Sequence, residues 1–99
     1  PARLTVLVEG VPEGGRVGIV GSFPELGGWD PARAVEAVPT GIPGSWRAEV
    51  ELVHGDVVAF KPVWTDDLGE LHWSPAPDRF AHLVGDRAVT ALTVDWRSE

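Results

Sequence analysis

The segment Trp46-Arg47-Ala48-Glu49-Val50-Glu51-Leu52 constrains the fold more than any other, because apolar and charged residues alternate through its whole length. A period of two belongs to a strand with one face in a core and the other in water. Trp46, Ala48, Val50 and Leu52 are therefore expected to point inward, and Arg47, Glu49 and Glu51 outward. The same period recurs in shorter runs. Leu4, Val6 and Val8 share one face, as do Val17 and Ile19 in Arg16 to Val20. In Val57 to Trp64, Val58 and Phe60 oppose Ala59, Lys61 and Val63; near the end Leu92, Val94 and Trp96 oppose Thr93 and Asp95. Leu71-His72-Trp73 and Arg79 to Val84 add two more runs.

Turn signals separate these runs: Glu9 to Pro12 with Gly14-Gly15, Pro39 to Ser45, His54-Gly55-Asp56, Thr65 to Glu70, Ser74 to Pro77, and Gly85-Asp86. After Asp30-Pro31, the stretch Ala32 to Val38 has helical propensity, but a brief strand near Val35 to Val38 fits the surrounding pattern better. Pro62 interrupts its run, and a residue without an N–H is expected at a sheet edge or a bulge. Seven to eight short strands spaced in this way predict an all-β, antiparallel, immunoglobulin-like sandwich. At 99 residues the chain is expected to be one domain over residues 1–99. With no cysteine to staple it, the 43% of residues that are apolar must supply its stability.

The net charge of −7 argues against nucleic acid and against anionic membranes, which select lysine and arginine clusters. No apolar run reaches the roughly 20 residues needed to span a bilayer. The absence of a basic, hydrophobic leader from these residues favours the cytoplasm over secretion as an expectation. His54, His72 and His82 lack a metal-ligand spacing and are expected to be surface residues, with no metal and no cofactor. Asp66, Asp67 and Glu70 fall in one short hairpin loop and are expected to be solvated, since a glycosidase needs two opposed carboxylates. No catalysis is expected.

What remains is a tryptophan in a glycine-rich loop. In Gly21-Ser22-Phe23-Pro24-Glu25-Leu26-Gly27-Gly28-Trp29-Asp30 the indole of Trp29 has no regular element around it, so a neighbouring segment or a ligand must cover it. Trp73, beside the Ser74-Pro75 turn, and Lys61, the only lysine beside seven arginines, are its natural company. Lys61 points away from the Val58 and Phe60 face. The blander alternatives are a solvated ammonium at Lys61, a core cap at Trp73 and a loop staple at Trp29.

These pieces stand in a specific order: Gly21-Ser22-x-x-x-Leu26-Gly27-x-Trp29, the strand led by Trp46, Phe60-Lys61, Trp73-x-x-x-Pro77-Asp78-Arg79, and Val94-Asp95-Trp96-Arg97. From about Leu4 to Arg97 the chain resembles the starch-binding domains of carbohydrate-binding module family 20. The resemblance implies a non-catalytic module that binds α-1,4-glucans such as starch, glycogen, maltooligosaccharides or cyclodextrins. Its sugar platform would consist of Trp29, Trp73, Lys61 and Asp78. It also implies service to an attached or associated enzyme, a glucan-active enzyme, a phosphatase or a phosphodiesterase, with the module itself a monomer. Asp78 stands where the family has asparagine, and a carboxylate accepts hydrogen bonds without donating. The tyrosines of the family's second site have no counterpart, Glu13 and Thr40-Gly41 occupying those regions, so one site is expected. Pro62 replaces a usual aromatic, and Trp64 is expected to fill the space. The alternative reading is a protein-interaction or structural sandwich that has lost sugar binding.

Overall fold

The computed structural model describes residues 2–52, 57–83 and 89–97. The expected turns at His54-Gly55-Asp56 and Gly85-Asp86 lie outside the described residues. The described residues form nine strands: β1 (Ala2–Glu9), β2 (Arg16–Gly21), β3 (Val35–Glu36), β4 (Val38–Pro39), β5 (Trp46–Leu52), β6 (Val57–Thr65), β7 (Leu71–Trp73), β8 (Arg79–His82) and β9 (Val89–Asp95). They form two sheets, one in the order β4-β5-β1-β9 and the other in the order β3-β2-β6-β7, with β8 also paired to β6. The fold is the expected β-sandwich. One pairing departs from a uniformly antiparallel arrangement, because β9 runs parallel to β1 from Arg3↔Val89 to Glu9↔Asp95. β9 arrives from the opposite sheet, so no hairpin turn dictates its direction.

The core lies where the alternation puts it. Leu4, Val6 and Val8 of β1 and Ala48 and Leu52 of β5 face Val17 and Ile19 of β2, Val58 and Phe60 of β6 and Ala81 of β8. Each fully buried aliphatic or phenyl side chain contributes roughly 1.5–3 kcal/mol relative to exposure. Trp46 is only partly buried, packing on this core from its edge.

The stretch expected as one brief strand from Val35 to Val38 is two. Val35–Glu36 pairs with β2 and Val38–Pro39 with β5, so the chain changes sheets at Ala37. Ala37 is buried and donates its N–H to Val17 O at 2.9 Å. Two residues per sheet are too few for a period to show in sequence.

Pro62 lies neither at an edge nor at a bulge. It sits in β6, the central strand, opposite Ile19. On the other side of β6, pairing with β8 reaches only to Phe60↔Arg79 and pairing with β7 begins only at Val63↔Trp73. Pro62 faces the gap between these two short strands, where no ladder partner requires its N–H, and its carbonyl accepts from Ser74 N at 3.0 Å. Trp64, two residues on and on the core side, donates Nε1–H to Gly14 O at 2.8 Å, stacks on His72 and meets Trp96 edge-on.

Candidate functional site

The site is built on the face of the second sheet that points away from the core. Register fixes its members: Val20 lies opposite Lys61 and Gly18 opposite Val63, while Trp73 also pairs with Val63 and Leu71 with Thr65. On β8, Phe80 lies opposite Ala59. Directly opposed residues share a face, so Lys61, Trp73, Leu71 and Phe80 are all presented on one side.

This face is not simply open to water. Val20 and Val63 are both buried although they point away from the core. Of the two 3-10 turns that follow β2, Pro24–Trp29 buries Leu26 in the core, whereas Pro31 and Ala32 of Pro31–Arg33, with Ala34 after it, line one groove with Gly18 and Val63. A Cβ on Gly18 would come within 3.0 Å of the Ala34 methyl and 2.9 Å of Val35 O, so glycine lets this segment lie flat on the sheet.

Trp29 closes the first of these turns with φ 68, the one non-glycine residue with positive φ among those described. It follows Gly27 and Gly28, which are also left-handed. Holding a tryptophan in that region costs on the order of 1–3 kcal/mol, and it persists only because the surroundings fix it. Leu26 N and Gly28 N both donate to Phe23 O, Asp30 N donates to Gly27 O, and Asp30 Oδ1 accepts from Ala32 N at 3.0 Å. The indole keeps 36% of its surface exposed. A neighbouring segment therefore covers it only in part.

Of the four residues singled out from sequence, Lys61 and Asp78 meet directly, with Nζ 3.8 Å from Oδ1. Lys61 is mostly covered, and Asp78 about half exposed. Trp73 stands on the same face, one diagonal step from Lys61 through Val63, and is 41% exposed. The pair offers an ammonium donor and a carboxylate acceptor beside an apolar plate. A sugar ring with an apolar C–H face and a rim of hydroxyls uses such an arrangement.

Two grooves lie elsewhere on the described surface, and none of the four residues lines either. One, of about 390 Å³, is lined by Arg16, Val17, Gly18, Pro31, Ala32, Ala34, Glu36, Val63, Thr65 and Leu71. The other, of about 440 Å³, lies among Pro12 to Gly14, Pro39, Gly41 to Ser45 and Trp46, in the region of Glu13 and Thr40-Gly41 where no tyrosine stands. Its existence was not legible in the sequence, because it is formed by loops. Trp46, expected to point inward, packs against the core and also lines this groove.

The acidic hairpin is solvated as expected at Asp67 and Glu70, both exposed, and it is also tied by hydrogen bonds. Asp66 Oδ1 accepts from Leu68 N and Glu70 N, both at 2.9 Å, and Oδ2 lies 2.7 Å from His72 Nε2. Asp67 Oδ1 accepts from Gly15 N at 2.9 Å, tying the hairpin to the first turn. Ligand atoms of Asp66, Glu70 and His72 lie within 4.8 Å of one another, the spacing of a cation site, but those of Asp66 are engaged by the hairpin itself. His72, through its stack on Trp64, anchors the hairpin to the sandwich.

The bond to His72 and those from the Glu70 and Leu68 amides hold the Asp66 carboxyl below its ordinary 3.8. A folded-state pKa below the unfolded one adds stability that is present above about pH 4 and lost as pH falls through the folded value. Asp66→Asn is therefore expected to lower the unfolding midpoint at pH 6, with the gap to wild type closing as the pH falls below about 4. Thermal melts across that range would check this; a gap independent of pH would remove the carboxylate from the account.

Fold and face together define a two-sheet module that presents a partly exposed Trp73 on the sheet face carrying Lys61, which pairs with Asp78. The sequence model of the family described as "Starch binding domain" matches residues 2–93, so the chain belongs to that family of non-catalytic carbohydrate-binding modules. Among solved structures, it is similar to the family 20 module of the maltotetraose-forming amylase from Pseudomonas saccharophila, at 24% identity and TM-score 0.72, covering 93% of this chain and 99% of that one. A family 15 glucoamylase from Hypocrea jecorina matches at 23% identity and TM-score 0.77, and a γ-CGTase from an alkalophilic Bacillus clarkii at 21% and 0.74. Both matches cover 93% of this chain but only 17% and 15% of those enzymes, so the likeness is to one segment of each.

Proposed function

We propose that the outer face of the second sheet binds α-1,4-glucans, with Trp29 and Trp73 as apolar plates and Lys61 and Asp78 as the hydrogen-bonding rim. The observation that carries this reading is the pairing of Lys61 with Asp78 beside an exposed Trp73 on one sheet face. Membership of a starch-binding family supplies the sugar class. A protein-interaction sandwich that had lost the site would have Trp29 sealed beneath its loop and Lys61 engaged elsewhere. Trp29 is instead partly exposed, and the partner of Lys61 is the other proposed rim residue.

Asp78 accepts from glucose hydroxyls while Lys61 donates up to three hydrogen bonds. One platform is proposed, since no tyrosine is present to furnish the family's second site. The module is expected to act as a monomer and to hold an attached or associated enzyme on its polymer. A shallow platform covers little area, so dissociation constants between micromolar and millimolar are expected, about −4 to −8 kcal/mol. Titration with β-cyclodextrin followed by tryptophan fluorescence tests the reading. Saturable quenching is expected; a flat response to high millimolar ligand would sink it.

A further inference from the structure

Resting on that reading of the tryptophan face, we propose that the groove of about 390 Å³ beside it is a further subsite, which takes the glucosyl units of a longer chain as it leaves the tryptophans. Position is the first argument. One wall, Pro31 to Ala34, begins two residues after Trp29, and the other contains Leu71, two residues before Trp73 on the same strand face. Its floor is Val63, the register partner of Trp73. Both walls thus grow from the elements that carry the plates, and a chain lying across Trp73 is led into the groove.

Chemistry is the second argument. The floor is apolar, Val63 beside Gly18, and Leu71 keeps 42% of its surface exposed, which suits the C–H face of a pyranose. Arg16, Glu36 and the Thr65 hydroxyl surround it, together offering several N–H donors, a carboxylate acceptor and a group that does both. Arg16 and Glu36 form no ion pair among the described residues. A neutral, hydroxyl-rich ligand uses donors and acceptors of both signs, whereas an anion or a cation would find one of these side chains opposed to it. The volume lies within the range of small-ligand sites. The groove at Trp46 has none of this continuity with Trp29 and Trp73.

The test is calorimetric titration of the whole chain with maltotriose and maltoheptaose, comparing wild type with Arg16→Ala/Glu36→Ala. Both substituted residues are exposed, and a thermal melt verifies that the variant folds. Wild type is expected to bind maltoheptaose roughly tenfold tighter than maltotriose. The variant should lose most of that gain while keeping the maltotriose affinity. A variant with the full gain would overturn the groove and leave the platform standing. So would loss of the gain in Phe80→Ser instead, because Phe80, 66% exposed at the opposite end of the face, would then mark the exit. Absence of binding to either sugar by wild type would remove the platform and the groove together.

Discussion

Trp73→Ala is expected to weaken maltoheptaose binding by roughly 30- to 150-fold while moving the thermal midpoint by less than about 8 °C. The two magnitudes follow from where the indole stands. It ends a three-residue strand, points away from the core and keeps 41% of its surface exposed, so few core contacts depend on it. A sugar covering one face removes about 100 Å² of apolar surface from water, roughly 2–3 kcal/mol at the usual coefficient. Val63 beneath it is buried and unaltered by the change. Calorimetry of the variant beside its melting curve separates the possibilities. Unaltered affinity would take Trp73 out of the platform, and a collapse of the melting temperature would assign it to the fold.

How much of this was legible in the sequence depends on the distance over which each residue is determined. The outward direction of Lys61 follows from Phe60 beside it, a relation one residue long, and the structure keeps it: Phe60 is fully buried and Lys61 lies on the other face. The register that places Trp73 beside Val63 depends on the hairpin, where Asp66 accepts two amides and holds His72 against Trp64. Spacing alone presents those groups as solvated acids and a surface imidazole. Pro62 misleads for a related reason. A strand pattern shows that a donor is missing but not that the neighbouring strands stop on either side of the gap. The burial of Val20 and Val63 on the outward face is harder still, since alternation along a strand does not record what lies against that face. The close approach of Ala34 and Val35 to the sheet depends on Gly18, and Trp29 ends three successive left-handed residues, features no periodicity records. The groove lined by Gly18, Val63 and Leu71 on the sheet and by Pro31, Ala32 and Ala34 beside it is a product of this approach, and it was correspondingly invisible.

Phe60→Ala is expected to cost about 3–5 kcal/mol of stability, lowering the thermal midpoint by on the order of 12–40 °C, while the protein that remains folded binds sugar as before. Phe60 is fully buried between the sheets, and the cavity left by its ring is walled by β-strands that cannot collapse freely into it. Against a total stability of about 5–15 kcal/mol for a domain of this kind, that loss is severe, so the measurement belongs at low temperature. Its neighbour Lys61 belongs to the opposite face, and one strand therefore carries stability and recognition on alternate residues. Linkage makes the separation measurable. A ligand that binds only the folded state adds about 2.7 kcal/mol at a concentration 100 times its dissociation constant. Maltoheptaose should then raise the midpoints of wild type and Phe60→Ala by comparable free energies, and that of Trp73→Ala hardly at all at the same concentration. If the sugar failed to stabilise Phe60→Ala while the variant remained folded, recognition would reach through the sheet into the core, and the alternation along β6 would not divide the two roles.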